Sequence, residues 1–246
     1  MVKDLTSIPV ETNHQPSFIG LWSIQNSEIC DKVIAFFQNN EMSHSDVGFY
    51  DYADNSVKYD KAIVNGKQMQ VKLEDLQTDD YDPIKNYFLM LEKCFLSYCE
   101  SWPTIQTDRI GISRNASIVK YLKSEKEFNE YNYHRKSSEN VMDLFSFKTY
   151  LNSLENEKGN TEFYYQGTSI NHFKGLTIIW PTDWTHASRF VPPDDDSISF
   201  TINGTLGYTH IRDKKIGLEF DELRDWLFKW FYKKWIQKMN RLTRVL

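Results

Sequence analysis

The sequence predicts a mainly β fold with flanking helices, an α+β arrangement built around a sandwich or barrel. Three observations carry this. Between Ser117 and Ile202 the apolar residues recur with a period of two through many short segments, the spacing of half-buried strands. Gly159, Gly167, Gly175 and Pro192-Pro193 punctuate those segments where the chain must turn. Aromatic residues make up 15% of the 246-residue chain, a high share that suits a β-rich core.

Taken in order, residues 1–17 are polar and are expected as an extended arm. Residues 19–24 read as a short strand. Ser27 has N-cap chemistry, and Cys30, Val33, Ile34 and Phe37 then recur at helical spacing until Asn39-Asn40. Residues 41–80 are rich in Asp, Lys, Asn and Tyr and suit a long surface loop with a strand or two. Asp82-Pro83 opens a second helix, with proline at its first position. Tyr87, Leu91, Cys94, Phe95 and Tyr98 form its apolar stripe, and Trp102-Pro103 ends it. Strands are expected at 117–122, 131–135, 144–151, 161–165, 169–173, 176–180, 185–190 and 197–202. Residues 220–246 alternate aromatics with bases and read as one long helix that packs on the barrel or on a partner subunit. The expected layout is an arm over 1–17, one domain over 18–210 and a C-terminal helix over 218–246.

The net charge of −5 gives no global drive toward nucleic acid. No run of about 18 apolar residues is present, so neither a spanning helix nor membrane contact is expected. The polar N-terminus lacks the apolar stretch of a secretion signal, so a cytoplasmic protein of a bacterium or an infected host cell is expected. Cys30, Cys94 and Cys99 fall in helical segments without metal-site or disulfide spacing, and read as reduced thiols.

The chemistry-bearing residues lie between Asn132 and Thr209. His134 and His186 flank the run of strands, a layout that can bring two imidazoles to one metal. The segments Tyr150-Leu151-Asn152, Thr161-Glu162-Phe163 after Gly159, Gly175 to Pro181, and Trp184-Thr185-His186 resemble the iron- and 2-oxoglutarate-dependent dioxygenases of the prolyl-4-hydroxylase-like group. The likeness is to the short forms of marine bacteria and their phages, and it covers roughly residues 18–208. The resemblance implies a double-stranded β-helix, or jelly roll, with the C-terminal helix as an addition. It implies Fe(II) and 2-oxoglutarate as cofactors, with His134 and His186 as the two iron-binding histidines.

Two departures from the family pattern follow. The carboxylate expected two positions after the first histidine is Lys136, whose ammonium has no lone pair to give a metal. Glu139 and Asp143 are the nearby carboxylates that could replace it as metal ligands. The basic residue expected to hold the far carboxylate of 2-oxoglutarate falls on Ile198. Arg189, and after it Lys148, are the candidate cofactor-binding substitutes, with Tyr121 as an inward hydrogen-bonding neighbour. No protein side chain is assigned a catalytic role, because the cofactor carries the chemistry. The implied activity is hydroxylase-type oxidation of a small-molecule or peptide substrate. The departures also support an alternative: a catalytically silent binding or structural module, assembling as a homo-oligomer or within a larger body through residues 220–246.

Overall fold

A computed structural model describes residues 5–9, 17–51, 56–105, 109–113, 116–126, 130–154, 159–193, 195–211, 214–215 and 217–225. Two antiparallel sheets dominate. The strands that matter for the site are β1 (Leu5–Ile8), β2 (Gly20–Ile24), β3 (Asn65–Val71), β4 (Ala116–Leu122), β5 (Asp143–Tyr150), β6 (Thr161–Phe163), β7 (Thr168–Ile170), β8 (Leu176–Pro181), β9 (Ser188–Phe190) and β10 (Ser199–Tyr208). The large sheet runs β1-β2-β8-β5-β10-β4-β3, with Ser45–Asp46 beyond β3 and Ile110–Ile112 beside β10. The small sheet runs β7-β6-β9.

The central strand β5 explains the layering. Its alternate side chains point to opposite faces, as the strand period requires. Phe145, Phe147 and Thr149 face the helices α1 (Glu28–Asn39) and α2 (Asp82–Ser101), where Phe95 and Tyr98 of α2 pack on the Phe145 ring. Ser146, Lys148 and Tyr150 face the small sheet, where Lys148 and Tyr150 both reach the Thr161 hydroxyl. A strand covered on both sides is buried along its length, and all of β5 except Leu144 is buried.

Both helices form where the apolar spacing places them. α1 buries Cys30, Val33, Phe36 and Phe37, and α2 buries Tyr87, Phe88, Leu91, Cys94, Phe95 and Tyr98. Each large apolar side chain removed from water contributes about 1.5–3 kcal/mol. Tyr87 also places its hydroxyl 2.8 Å from Thr149 Oγ1, which lies 2.8 Å from Thr177 Oγ1, so the polar atoms under α2 are paired. A second, smaller core forms between the sheets from Leu21, Tyr150, Phe163, Ile178 and Trp180, with Phe163 meeting Trp180 edge-on at 5.4 Å. Burial pushes the Cys30 and Cys94 thiols up to about 11 and about 12, so both are inert thiols.

The mainly antiparallel architecture agrees with a jelly-roll-like oxygenase fold. Several elements differ from the sequence expectation. The expected arm contributes β1, because Leu5–Ile8 pairs with the exposed edge of β2. The expected strand over 131–135 makes only the bridge between Asn132 and Ser188. The expected strand over 185–190 begins late, at Ser188, after a 3-10 turn over Trp184–His186. The long C-terminal helix is not supported: the described part is helical only over 220–225, and the rest of that expectation lies outside the described residues.

Candidate functional site

A cavity opens between the large sheet and β9. It has a volume of about 480 Å³ and is walled by Tyr133, His134, Lys136, Lys148, Ser188 and Phe190, among others. It adjoins a broader cleft of about 1050 Å³, and His134, Ser146, Lys148 and Trp180 border both.

His134 is held there by its backbone. Asn132 and Ser188 exchange both backbone hydrogen bonds at 2.8 Å, which ties this segment to β9. The His134 N–H donates to the Thr182 carbonyl at 3.2 Å, and its own carbonyl accepts from the Asn140 amide at 3.0 Å. The ring then meets Asp143, Nε2 to Oδ2, at 2.6 Å. Asp143 is 1% exposed while His134 is 37% exposed, so a buried carboxylate orients a half-open imidazole. The other Asp143 oxygen accepts from Ser113 Oγ at 2.7 Å, and Ser113 lies 2.9 Å from Thr205 Oγ1. Both carboxylate oxygens are thereby satisfied, as burial demands.

His186 lies elsewhere. It is 4% exposed and both ring nitrogens are engaged. Nε2 donates to the Ser17 carbonyl at 2.8 Å, and Nδ1 lies 2.8 Å from Thr185 Oγ1. Burial lowers its pKa, which favours the neutral ring. The cause of its placement is local. Asp183 accepts from the Thr185 backbone N–H at 3.0 Å and caps the 3-10 turn, so His186 never enters β9. All three β9 residues line the cavity with His134, and among them Ser188 is a hydroxyl that the sequence pattern does not single out. Nor does it single out Ser113, the second donor to Asp143. Neither serine has a local signal, since each gains its place through pairing with distant strands.

The remaining candidates divide as follows. Glu139 is exposed at the rim of the broader cleft. Arg189 gives its Nε to Glu162 at 2.7 Å, and the Tyr131 hydroxyl shares that carboxylate at 3.0 Å, so Arg189 is already committed to a carboxylate. Tyr121 stacks on Phe190 at 4.2 Å between centroids, and burial pushes its hydroxyl up to about 12. Ile198 is partly exposed; its carbonyl accepts from the Asn152 amide at 2.7 Å. Lys136 borders the cavity, where burial lowers its pKa to about 8. Lys148 is 9% exposed, 3.3 Å from Thr161 Oγ1 and 4.7 Å over the Phe190 ring. Among the described residues no carboxylate lies within ion-pair distance of it, and burial lowers its pKa to about 7.

A facial iron centre asks for two imidazoles and a carboxylate with their lone pairs converging. Here one imidazole and one carboxylate meet, engaged with each other. The other polar side chains of the cavity include lysines, an arginine, serines and asparagines, with no second imidazole or carboxylate among the described residues. Among the described residues no three His, Cys, Asp or Glu side chains gather where a metal could be held. The donor set does not fit that centre. Lys148 offers the cavity an amine with no carboxylate of the described chain beside it.

No family model matches the sequence, and no curated protein matches it significantly. Solved structures do match in fold. A prolyl-4-hydroxylase from Pseudomonas putida aligns with a TM-score of 0.53 at 10% identity, over 77% of this chain and 92% of that one. A prolyl hydroxylase from Trichoplax adhaerens, solved with a hypoxia inducible factor peptide, aligns at 0.57 and 11% identity, over 78% and 84%. The fold is therefore similar to that of these prolyl hydroxylases, as the sequence resemblance implied. Among the described residues no helix is long and apolar enough to cross a membrane.

Proposed function

We propose that this chain is a divergent protein of the 2-oxoglutarate oxygenase fold that binds a small carboxylate ligand of the 2-oxoglutarate kind in its barrel, without an iron centre of the usual composition. The observation that carries this reading is Lys148: a buried amine that borders the cavity with no carboxylate partner among the described residues. A ligand carboxylate supplies the missing countercharge, and a charge-assisted bond of that kind is stronger than the present contact to Thr161. Lys136 borders the same cavity and adds positive potential where a metal ion would otherwise attract the ligand.

A second reading, an iron- and 2-oxoglutarate-dependent oxygenase with an altered metal site, is favoured by one specific feature. His134 and Asp143 are adjacent donors at the cavity wall, and an incoming ion could part them. Fe(II) bound there would supply the redox chemistry, with His134 and Asp143 holding it.

Titration calorimetry separates the two. Binding of 2-oxoglutarate to the full chain without metal, lost in Lys148→Met and kept in His186→Gln, supports the first reading. Binding that requires Fe(II), depends on His134 and Asp143, and yields succinate in oxygen overturns it in favour of the second.

A further inference from the structure

Lys148 offers more than a charge. It stands at the middle of β5, on the face turned toward the small sheet, and is nine-tenths buried. Its Nζ touches the Thr161 hydroxyl at 3.3 Å and the Phe190 face at 4.7 Å. The hydroxyl can donate to a neutral amine as readily as it can accept from an ammonium. Neither contact demands that this nitrogen be charged, and burying an unpaired ammonium is costly. Its pKa is held down to about 7 by that burial. Desolvated lysines of this sort are the ones that act as nucleophiles. Lys148 also borders both the smaller cavity and the broader cleft, so a ligand in either meets this side chain.

We propose that Lys148 is a carbonyl-reactive amine that forms a reversible imine with a small 2-oxo acid held in the barrel cavity. This rests on the ligand-binding reading above and deepens it: in a 2-oxo acid the carbonyl adjoins the carboxylate, so an amine that attracts the carboxylate is also brought beside the carbonyl carbon. The neutral Nζ adds its lone pair to that carbon, the C=O π pair moves to oxygen, and one proton passes from nitrogen to oxygen to give a carbinolamine. The C–O bond then breaks, the hydroxyl leaves with the remaining nitrogen proton as water, and a C=N bond forms. One amine and one carbonyl give one imine and one water, with no oxidant or reductant. Ser146 lies two positions earlier on the same face of β5 and borders the same cavity, the nearest hydroxyl along the strand for the proton transfer.

The test is trapping. The full chain is incubated with pyruvate and sodium cyanoborohydride at pH 7, digested, and mapped by mass spectrometry. At that pH a lysine titrating near 7 is about half neutral, whereas one with the ordinary lysine value is neutral in roughly one molecule in three thousand. Lys148 is therefore expected to gain one reductively linked pyruvate on the order of 100-fold faster than the exposed lysines of the chain, with steric access taking back part of the advantage. Lys148→Met and Lys148→Arg should both lose that fast adduct. Calorimetry with pyruvate, without the reductant, is run in parallel. Binding without a preferential Lys148 adduct overturns the imine and leaves the ligand-binding reading standing. Adducts spread evenly over exposed lysines, with no binding, overturn both.

Discussion

Replacing Lys148 with methionine should stabilise the protein at neutral pH. Burial holds this amine at about 7 against an ordinary 10.5. At about 1.4 kcal/mol for each tenfold change in the ionisation equilibrium, that gap corresponds to about 5 kcal/mol of cost near pH 7. Methionine fits a similar space and needs no partner. It forfeits the Thr161 contact and the cation over Phe190, each about 1 kcal/mol, which leaves a net gain of about 3 kcal/mol. The sign of the pH dependence follows from proton binding. Between pH 7 and 10 the unfolded chain holds the lysine proton and the folded chain does not, so wild-type stability should rise with pH across that window. Relative to the variant, the slope approaches about 1.4 kcal/mol per pH unit. Urea unfolding of both proteins from pH 6.5 to 9.5 reads this directly. A variant no more stable than wild type at pH 7, with a parallel pH curve, would refute the reasoning and mean that Lys148 is not desolvated.

Three further outcomes follow from the same geometry. Asp143→Ala should cost about 1–3 kcal/mol, since it takes from Ser113 and His134 the buried carboxylate both are bonded to, while Asp143→Asn should cost less; thermal unfolding distinguishes them. The lowered pKa of His186 means the unfolded chain binds its proton first on acidification, so stability should fall as pH drops below about 6.5. His186→Gln should weaken that dependence, and an unchanged curve would remove His186 from the acid response. Asn152→Ala should cost about 1–2 kcal/mol by releasing the Ile198 carbonyl and the Phe200 N–H, yet leave ligand affinity unaltered in calorimetry, because Asn152 does not border the cavity.

Much of the scaffold is legible in the sequence alone. The helices over Glu28–Asn39 and Asp82–Ser101 follow from apolar spacing and from Pro83 in the first turn, which are local properties. β5 and β8 follow from their period-two pattern and the glycine at 175 that precedes β8. The site is legible only in part. Asp143 and Lys148 stand out in the sequence as candidates and both border cavity space, yet the contact between Asp143 and His134 depends on the Thr182 carbonyl holding His134 in place. The neighbours of His186 alternate as strand residues do; the Asp183 cap at the 3-10 turn overrides that alternation.

The sequence by itself determined which segments could be strands and helices, and which position of the metal pattern was lost. A lysine at 136 cannot donate a lone pair while it is charged, whatever the fold. The tertiary structure decided which side chains meet. Pairing across more than fifty residues brings Ser188 beside Asn132, and a contact between segments far apart in the chain gives the His186 ring the Ser17 carbonyl. The same pairing encloses Lys148 between two sheets, where Thr161 and Phe190 replace water. Ionisation of a lysine depends on what surrounds it, and that environment is set by contacts between residues distant along the chain.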